Sequence, residues 1–192
     1  MEQMKHLDLL VIREKKHYTG VPESWKLVPV CCLSNASEEE VYYAVLEGGA
    51  SGGMPALRKA QTFTLHFLNR KGEEILYFEK HPGLFSNKTE VFDAAENLIG
   101  SIQKQGGSKT TFRALDAGGH ILCDLEGASA ASETFKIRRG GVTAGTISRR
   151  PTRIAEEGVF RNDHFGIVFP FEADPAEKSV LLGALFLIDL LF

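Results

Sequence analysis

The 192-residue sequence predicts a mainly β chain with one helix. The expected architecture is a closed antiparallel β-barrel of about twelve strands wrapped around a buried hydrophobic C-terminal helix, about residues 175–192. Two observations predict it. From Val180 to Phe192 the chain is almost wholly apolar, with no polar face recurring at the helical period. Such a helix must be covered on every side. Short alternating runs separated by glycine turns recur through the chain, which is the pattern of half-buried antiparallel strands. A barrel closed around the helix supplies that cover and leaves no sheet edge exposed.

Taken in order, Leu7 to Arg13 forms a first strand or a short helix, broken by His17-Tyr18-Thr19-Gly20-Val21-Pro22. Trp25 to Leu33 is a second apolar run, and Pro29 inside it predicts an edge strand or a bulge. Val41 to Glu47 is aromatic and β-branched, favouring strand. Gly48 to Ala56 is a flexible loop and the best nicking site. A loose repeat follows over Thr62–Phe78, Thr111–Leu125 and Thr134–Ser148. Each unit has a Thr-Phe start, a strand, a glycine-containing turn and a returning strand. Thr89–Phe92 and Leu98–Gln103 make another pair. His164 to Glu172 is the last strand, with Phe165, Ile167, Phe169 and Phe171 on one face. The helix then begins on a start signature: Asp174 as cap, Pro175 at the first helical position and Glu177 three after the cap. At ~1.5 Å per residue it is about 27 Å long. Its apolar part is shorter than the ~20 residues of a bilayer span, and Asp189 interrupts it. A helix wrapped by protein is therefore favoured over a membrane anchor.

Composition is that of a globular domain, with 43% hydrophobic and 24% charged residues, and one domain spanning 1–192 is expected. A net charge of −3 disfavours a nucleic-acid-coating protein. Three cysteines, two of them the adjacent Cys31 and Cys32, give no disulfide framework. The first ten residues lack a signal-peptide pattern, so the chain is expected in the cytoplasm. The six histidines show no metal-ligand spacing. His66 and His164 read as outward strand polars. No G-x-S-x-G, phosphate-loop or H-E-x-x-H motif occurs, so chemical catalysis and a resident cofactor are not expected.

Asp163-His164-Phe165-Gly166-Ile167-Val168-Phe169-Pro170, followed by Val180 to Asp189, resembles the C-terminal end of the phospholipid scramblase family. Phe63 to Glu79, Phe135 to Ile137, Gly145-Thr146-Ile147-Ser148 and Tyr18-Thr19-Gly20 fall in the order of that family's pieces. The resemblance covers most of the chain and is specific at the FGIxFP and FLID segments. It implies the fold shared by scramblases, LURP-one-related plant proteins and the C-terminal domain of Tubby proteins. It also implies anionic phospholipids or phosphoinositides as partners, at most peripherally at the inner face of the membrane. The alternative is a soluble Tubby-like binding or regulatory module for protein, small ligand or DNA. Two features of animal scramblases are missing here: a proline-rich N-terminal arm, and a palmitoylated cysteine cluster, whose place is taken by His81 to Lys88. Firm anchoring usually needs two lipid-directed signals. Acylation of Cys31 or Cys32 is set against their being buried core.

The candidate head-group ligands are Lys136, Arg138, Arg139, Arg149, Arg150 and Arg153, a run with no acidic residue among them. Guanidinium forks suit phosphate oxygens. With a turn at Gly140-Gly141, Arg138/Arg139 and Arg149/Arg150 fall at opposite ends of the hairpin, about 30 Å apart. Two weak sites, or a solvated surface, are the alternatives. In scramblases the segment aligned with Arg161–Glu172 is the proposed calcium loop, with acidic residues at positions one, three and twelve. Asp163 and Glu172 match the last two. Arg161 puts a positive charge where an oxygen is wanted, so a calcium-independent protein is expected.

Overall fold

The computed structural model describes residues 2–13, 29–47, 62–81, 88–106, 110–129, 132–150 and 164–191. A 3-10 turn, Glu2–His6, precedes the first strand. The strands are β1 Leu9–Arg13, β2 Pro29–Ser34, β3 Glu40–Leu46, β4 Phe63–Asn69, β5 Glu74–His81 and β6 Lys88–Asp93. They continue as β7 Leu98–Gln105, β8 Thr110–Asp116, β9 Ile121–Gly127, β10 Thr134–Arg139, β11 Val142–Arg150 and β12 His164–Val168. The helix is α1, Pro175–Leu191. Each strand pairs antiparallel with the next, and β12 closes on β1 with Leu9 opposite Val168 and Ile12 opposite Phe165.

The period of two decides what faces inward. Leu76 and Phe78 on β5, Phe112 and Ala114 on β8, Leu125 on β9, and Phe135 and Ile137 on β10 are buried in one core. In α1 every residue from Glu177 to Ile188 is buried, so the apolar run has no solvent face from Val180 to Ile188. Its start is as expected: Asp174 Oδ1 accepts from Glu177 N at 2.8 Å, and the Asp174 carbonyl accepts from Lys178 N at 2.9 Å. The helix leans on the β5–β8 wall. A methyl added at Gly183 would lie 2.8 Å from Ile102 Cδ1, 2.9 Å from Val91 Cγ2 and 3.0 Å from Phe78 Cδ1. A methyl at Gly100 would lie 2.6 Å from Val180 Cγ2 and 2.3 Å from the Leu115 carbonyl. Rings fill much of the remaining interior, linked as Tyr42–Phe67 (centroids 4.8 Å apart), Phe67–Phe78 (6.3 Å) and Phe78–Phe186 (5.7 Å). Among the described residues no helix is long and apolar enough to cross a membrane.

The two ends of the barrel differ. The turns after β2, β4, β6, β8 and β10 are tight and share one end with the β12–α1 turn and the 3-10 turn. The strand ends joined by the other connections lie at the opposite end. Four of the tight turns are built alike on residues 35–39, 69–73, 93–97 and 116–120. An Asn or Asp opens each, and its Oδ1 accepts backbone N–H groups further round the turn. The bonds are Ser37 and Glu39 to Asn35 (both 3.0 Å), and Lys71 and Glu73 to Asn69 (2.8 and 3.0 Å). Ala95 and Asn97 reach Asp93 (2.9 and 2.8 Å), and His120 reaches Asp116 (2.8 Å). The fourth residue of each has positive φ: Glu38 (62°), Gly72 (81°), Glu96 (64°) and Gly119 (83°). The glycines at 72 and 119 suit this geometry, and the two glutamates hold it at a steric cost.

One expected element is resolved and another corrected. At Pro29 the bulge alternative holds and the edge alternative does not: the register is irregular between Pro29 and Cys31, and β2 is paired on both sides. The last strand stops at Val168, not Glu172. Phe169 N donates to the Asp8 carbonyl at 3.0 Å, Pro170 has no N–H to extend the ladder, and Ala173 N closes a turn on the Pro170 carbonyl at 3.0 Å. Ile167 and Phe169 point into the core as expected, but Phe171 is 93% exposed. The glycine-rich stretch 48–56 and the Tyr18-Thr19-Gly20 piece lie outside the described residues.

Gly100→Ala should destabilise the protein by about 1–3 kcal/mol in a urea titration, because the backbone carbonyl of Leu115 cannot yield to a methyl. An unchanged midpoint would mean that neither the Leu115 carbonyl nor Val180 closes on this position as described.

The turn carboxylates set a pH dependence. Hydrogen bonds from the Asn97 side chain, then from the Asn97 and Ala95 backbone, hold the Asp93 carboxyl below its ordinary value. The backbone N–H of His120, then its ring, does the same to Asp116. A depressed native value gives stability that is complete above the unfolded value of about 3.9 and is lost as pH falls through the native one. Asn35 and Asn69 make the same turn without titrating. Asp93→Asn combined with Asp116→Asn should therefore keep the fold at pH 7 and lose less stability than wild type between pH 5 and pH 2. Parallel acid-unfolding curves would contradict this.

Candidate functional site

The β10–β11 hairpin carries most of the candidate cations. Phe135 and Ile137 turn inward, and Lys136 lies exposed on the outer face, between Glu126 of β9 and Thr146 of β11. An irregularity between Ile137 and Arg138 shifts the register before the turn. Arg138 stays near the hairpin tip, with Nε 3.7 Å from Glu126 Oε2 and Nη2 donating to the Gly141 carbonyl. Arg139 reaches α1 instead, where its Nη2 donates to both carboxylate oxygens of Glu177. That carboxylate is 8% exposed and the guanidinium 37%. The hydrogen bond to the Glu177 carboxylate is the main reason the Arg139 guanidinium is pushed above its ordinary value. Cys123 lies in the same field. Burial, and then the Glu177 charge, pushes its thiol up to about 12.

The run that looks free of acidic residues in sequence is thus interleaved with carboxylates in space. Across the same outer wall, Arg113 Nε meets Asp124 Oδ1 at 2.9 Å, and Asp124 stands opposite Arg138 in the register. Arg149 and Arg150 pair in backbone register with Phe165 and His164 at the far end of β11. Seven residues from Val142 to Arg149 put the two groups about 23 Å apart at ~3.3 Å per residue. That separation holds for the tip, Arg138 and Arg139; Lys136, opposite Thr146, stands between the ends, three residues or about 10 Å from Arg149 along β11, so the candidates are spread along the hairpin and not gathered into one site. Arg153 and Asp163 lie outside the described residues, and Glu172 is exposed in the β12–α1 turn. The backbone from Phe165 to Val168 is paired with both β1 and β11. Its carbonyls sit in a ladder, an arrangement that does not fit a calcium loop.

Polar groups inside the barrel carry no sequence signal of their own. Lys178, 2% exposed, donates from Nζ to the Lys5 carbonyl at 3.0 Å and lies 5.7 Å from the Phe169 ring centroid. Ser179 Oγ reaches Met4 Sδ at 3.4 Å. These bonds fasten the 3-10 turn over the barrel mouth beside the helix start. Lys80 is buried 5.7 Å from the Phe63 ring centroid, and burial lowers its ammonium below the ordinary value. Cys31 and Cys32 are both buried.

Arg139→Ala leaves the Glu177 carboxylate buried without its main partner and should cost about 1–3 kcal/mol. Adding Glu177→Gln removes the stranded charge and should recover part of the loss. A double-mutant cycle in urea measures this coupling, and simple additivity would show that the pair does not hold the helix start.

The family described as Scramblase matches residues 2–192. Human phospholipid scramblase 1 is 46% identical over 48 residues, which are 25% of this chain and 15% of the human protein. No solved structure matches.

Proposed function

The chain belongs to the scramblase family, and we propose that it binds anionic phospholipid head groups peripherally and promotes phospholipid movement between leaflets. The observation that carries this reading is the family match, which runs through the whole barrel and its helix. Lys136, exposed on the wall, and Arg138, at the tip, are the described side chains offered to phosphate, with Arg149, Arg150 and Arg153 as a second group. Arg139 is committed to Glu177 and is the weakest candidate of the set. Few cations, interleaved with carboxylates, give modest affinity that salt screens. Phosphoinositides, with several phosphates on one head group, suit such spaced cations better than a single phosphate does. Calcium has no part in this reading, since Arg161 replaces an oxygen ligand and the β12 carbonyls are paired in the sheet.

Flotation with vesicles tests the proposal. Wild type should float with vesicles containing phosphoinositide or phosphatidylserine, less at high salt, and equally in calcium or EDTA. Lys136→Ala with Arg138→Ala should float less. Absence of flotation on every composition would sink the lipid reading, and a strict calcium requirement would sink the calcium-independent one. Transbilayer movement is read separately, by dithionite quenching of labelled lipid in proteoliposomes.

A further inference from the structure

Resting on the lipid reading above, we infer which surface of the barrel meets the bilayer: the end with the tight turns, over the sector from β7 to β12, with Phe171 as the inserting side chain. The large apolar side chains exposed among the described residues are Leu98 (39%), Ile121 (59%), Val142 (68%), Val168 (46%) and Phe171 (93%). Single exposed apolar residues are ordinary, and clustered ones are informative. All five fall at one end of the barrel. Leu98, Ile121 and Val142 are the first residues of β7, β9 and β11, directly after their turns. Val168 is the last residue of β12, and Phe171 lies in the turn that follows.

Within that end they occupy one sector. The corresponding first positions of β3 and β5 are Glu40 and Glu74. At these first positions the rim is therefore apolar at β7, β9 and β11 and acidic at β3 and β5, although the exposed Glu96 stands in the turn before Leu98. At ~4.8 Å between strands the apolar arc runs about 24 Å.

The shape of this arc favours lipid over protein. The side chains stand singly, four at strand ends and Phe171 in a turn, with polar turn residues between them. A fluid interface closes around such points, and apolar groups entering the head-group boundary gain their transfer free energy one by one. Charge adds little here. Arg138 and His120 lie beside the arc, but so do the exposed Glu172 and Asp174. Insertion at this end should therefore act on neutral as well as anionic vesicles, with the wall cations supplying any preference for anionic lipid.

Two measurements test the inference. Phe171→Ser with Val142→Ser should weaken partitioning onto phosphatidylcholine–phosphatidylserine vesicles about tenfold or more. Both side chains are exposed, so its melting temperature should stay near that of wild type. Phe171→Cys, carrying an environment-sensitive fluorophore, should shift to the blue on vesicles. Ser37→Cys, exposed on the acidic sector, should not. The native cysteines are buried and do not compete for the label. Wild type that floats while the variant floats equally, or while the Phe171→Cys probe stays unshifted, would overturn the assigned surface and leave the lipid reading standing. Wild type that floats on no vesicle would overturn both.

Discussion

A helix that is apolar on every side needs an apolar partner on every side. In α1 every residue from Glu177 to Ile188 is buried. A flat sheet covers one face of a helix, and two stacked sheets leave open edges. A closed barrel alone surrounds it, and the size of the barrel follows. An eight-stranded barrel is filled by its own side chains, so a helix about 10 Å across calls for more strands. Twelve strands close here. The helix is pressed to the β5–β8 wall, where Gly100 and Gly183 allow backbone and side chains to meet closely. Aromatic rings take up the space on the other side.

The same constraint explains the polar groups at the barrel mouth. A helix entering a hydrophobic interior brings its unsatisfied N–H groups and first-turn side chains with it. Asp174 caps the first turn, Arg139 neutralises Glu177, and the Lys5 carbonyl accepts from Lys178. The 3-10 turn and Arg139 therefore belong to the fastening of the helix, which leaves Arg139, unlike its neighbour Arg138, less free to serve as a ligand. The Asn- and Asp-centred turns around the rest of that end are fixed by their own side chains. They hold the residues that follow them in set positions.

The barrel was legible because its signals are local. Alternation in Phe63/Leu65/Phe67 and Phe135/Ile137 marks strands, and the unbroken run after Val180 marks a buried helix. What was not legible depends on residues far apart in sequence or on exceptions to a residue rule. Arg139 reads as a surface cation because Glu177, its partner, lies on another element. The turn repeat reads as a glycine repeat at Gly72 and Gly119, yet Glu38 and Glu96 adopt the same left-handed backbone without a glycine to announce it. The constant feature is the opening Asn or Asp at 35, 69, 93 and 116, and that spacing was readable. Phe171 continues the alternation of Ile167 and Phe169 on paper. Pro170, which ends the ladder, was the sign that the pattern had stopped.

Burial of α1 bears on how such a chain can meet lipid. A side chain used to fill a barrel is not available to a membrane, and withdrawing the helix would expose both its own surface and the inner faces of the strands. At roughly 25 cal/mol per Å² of apolar surface, that cost far exceeds the gain from inserting one short helix that lacks the length of a bilayer span. Contact with lipid is therefore cheaper through groups already outside the core. These are the cations on the wall and the apolar residues on the rim. On the proposed lipid reading they would act at different depths, with guanidinium and ammonium groups suited to the head-group layer and phenyl and aliphatic groups to the boundary beneath it. With Phe171 and Val142 at the end and Lys136 further along β10, the barrel axis would stand upright or tilted toward β10 on the bilayer. The far end of β11, with Arg149 and Arg150, would then be directed away from the surface. On that geometry the two basic groups are not equivalent, and the one beside the rim is the one placed to meet phosphate.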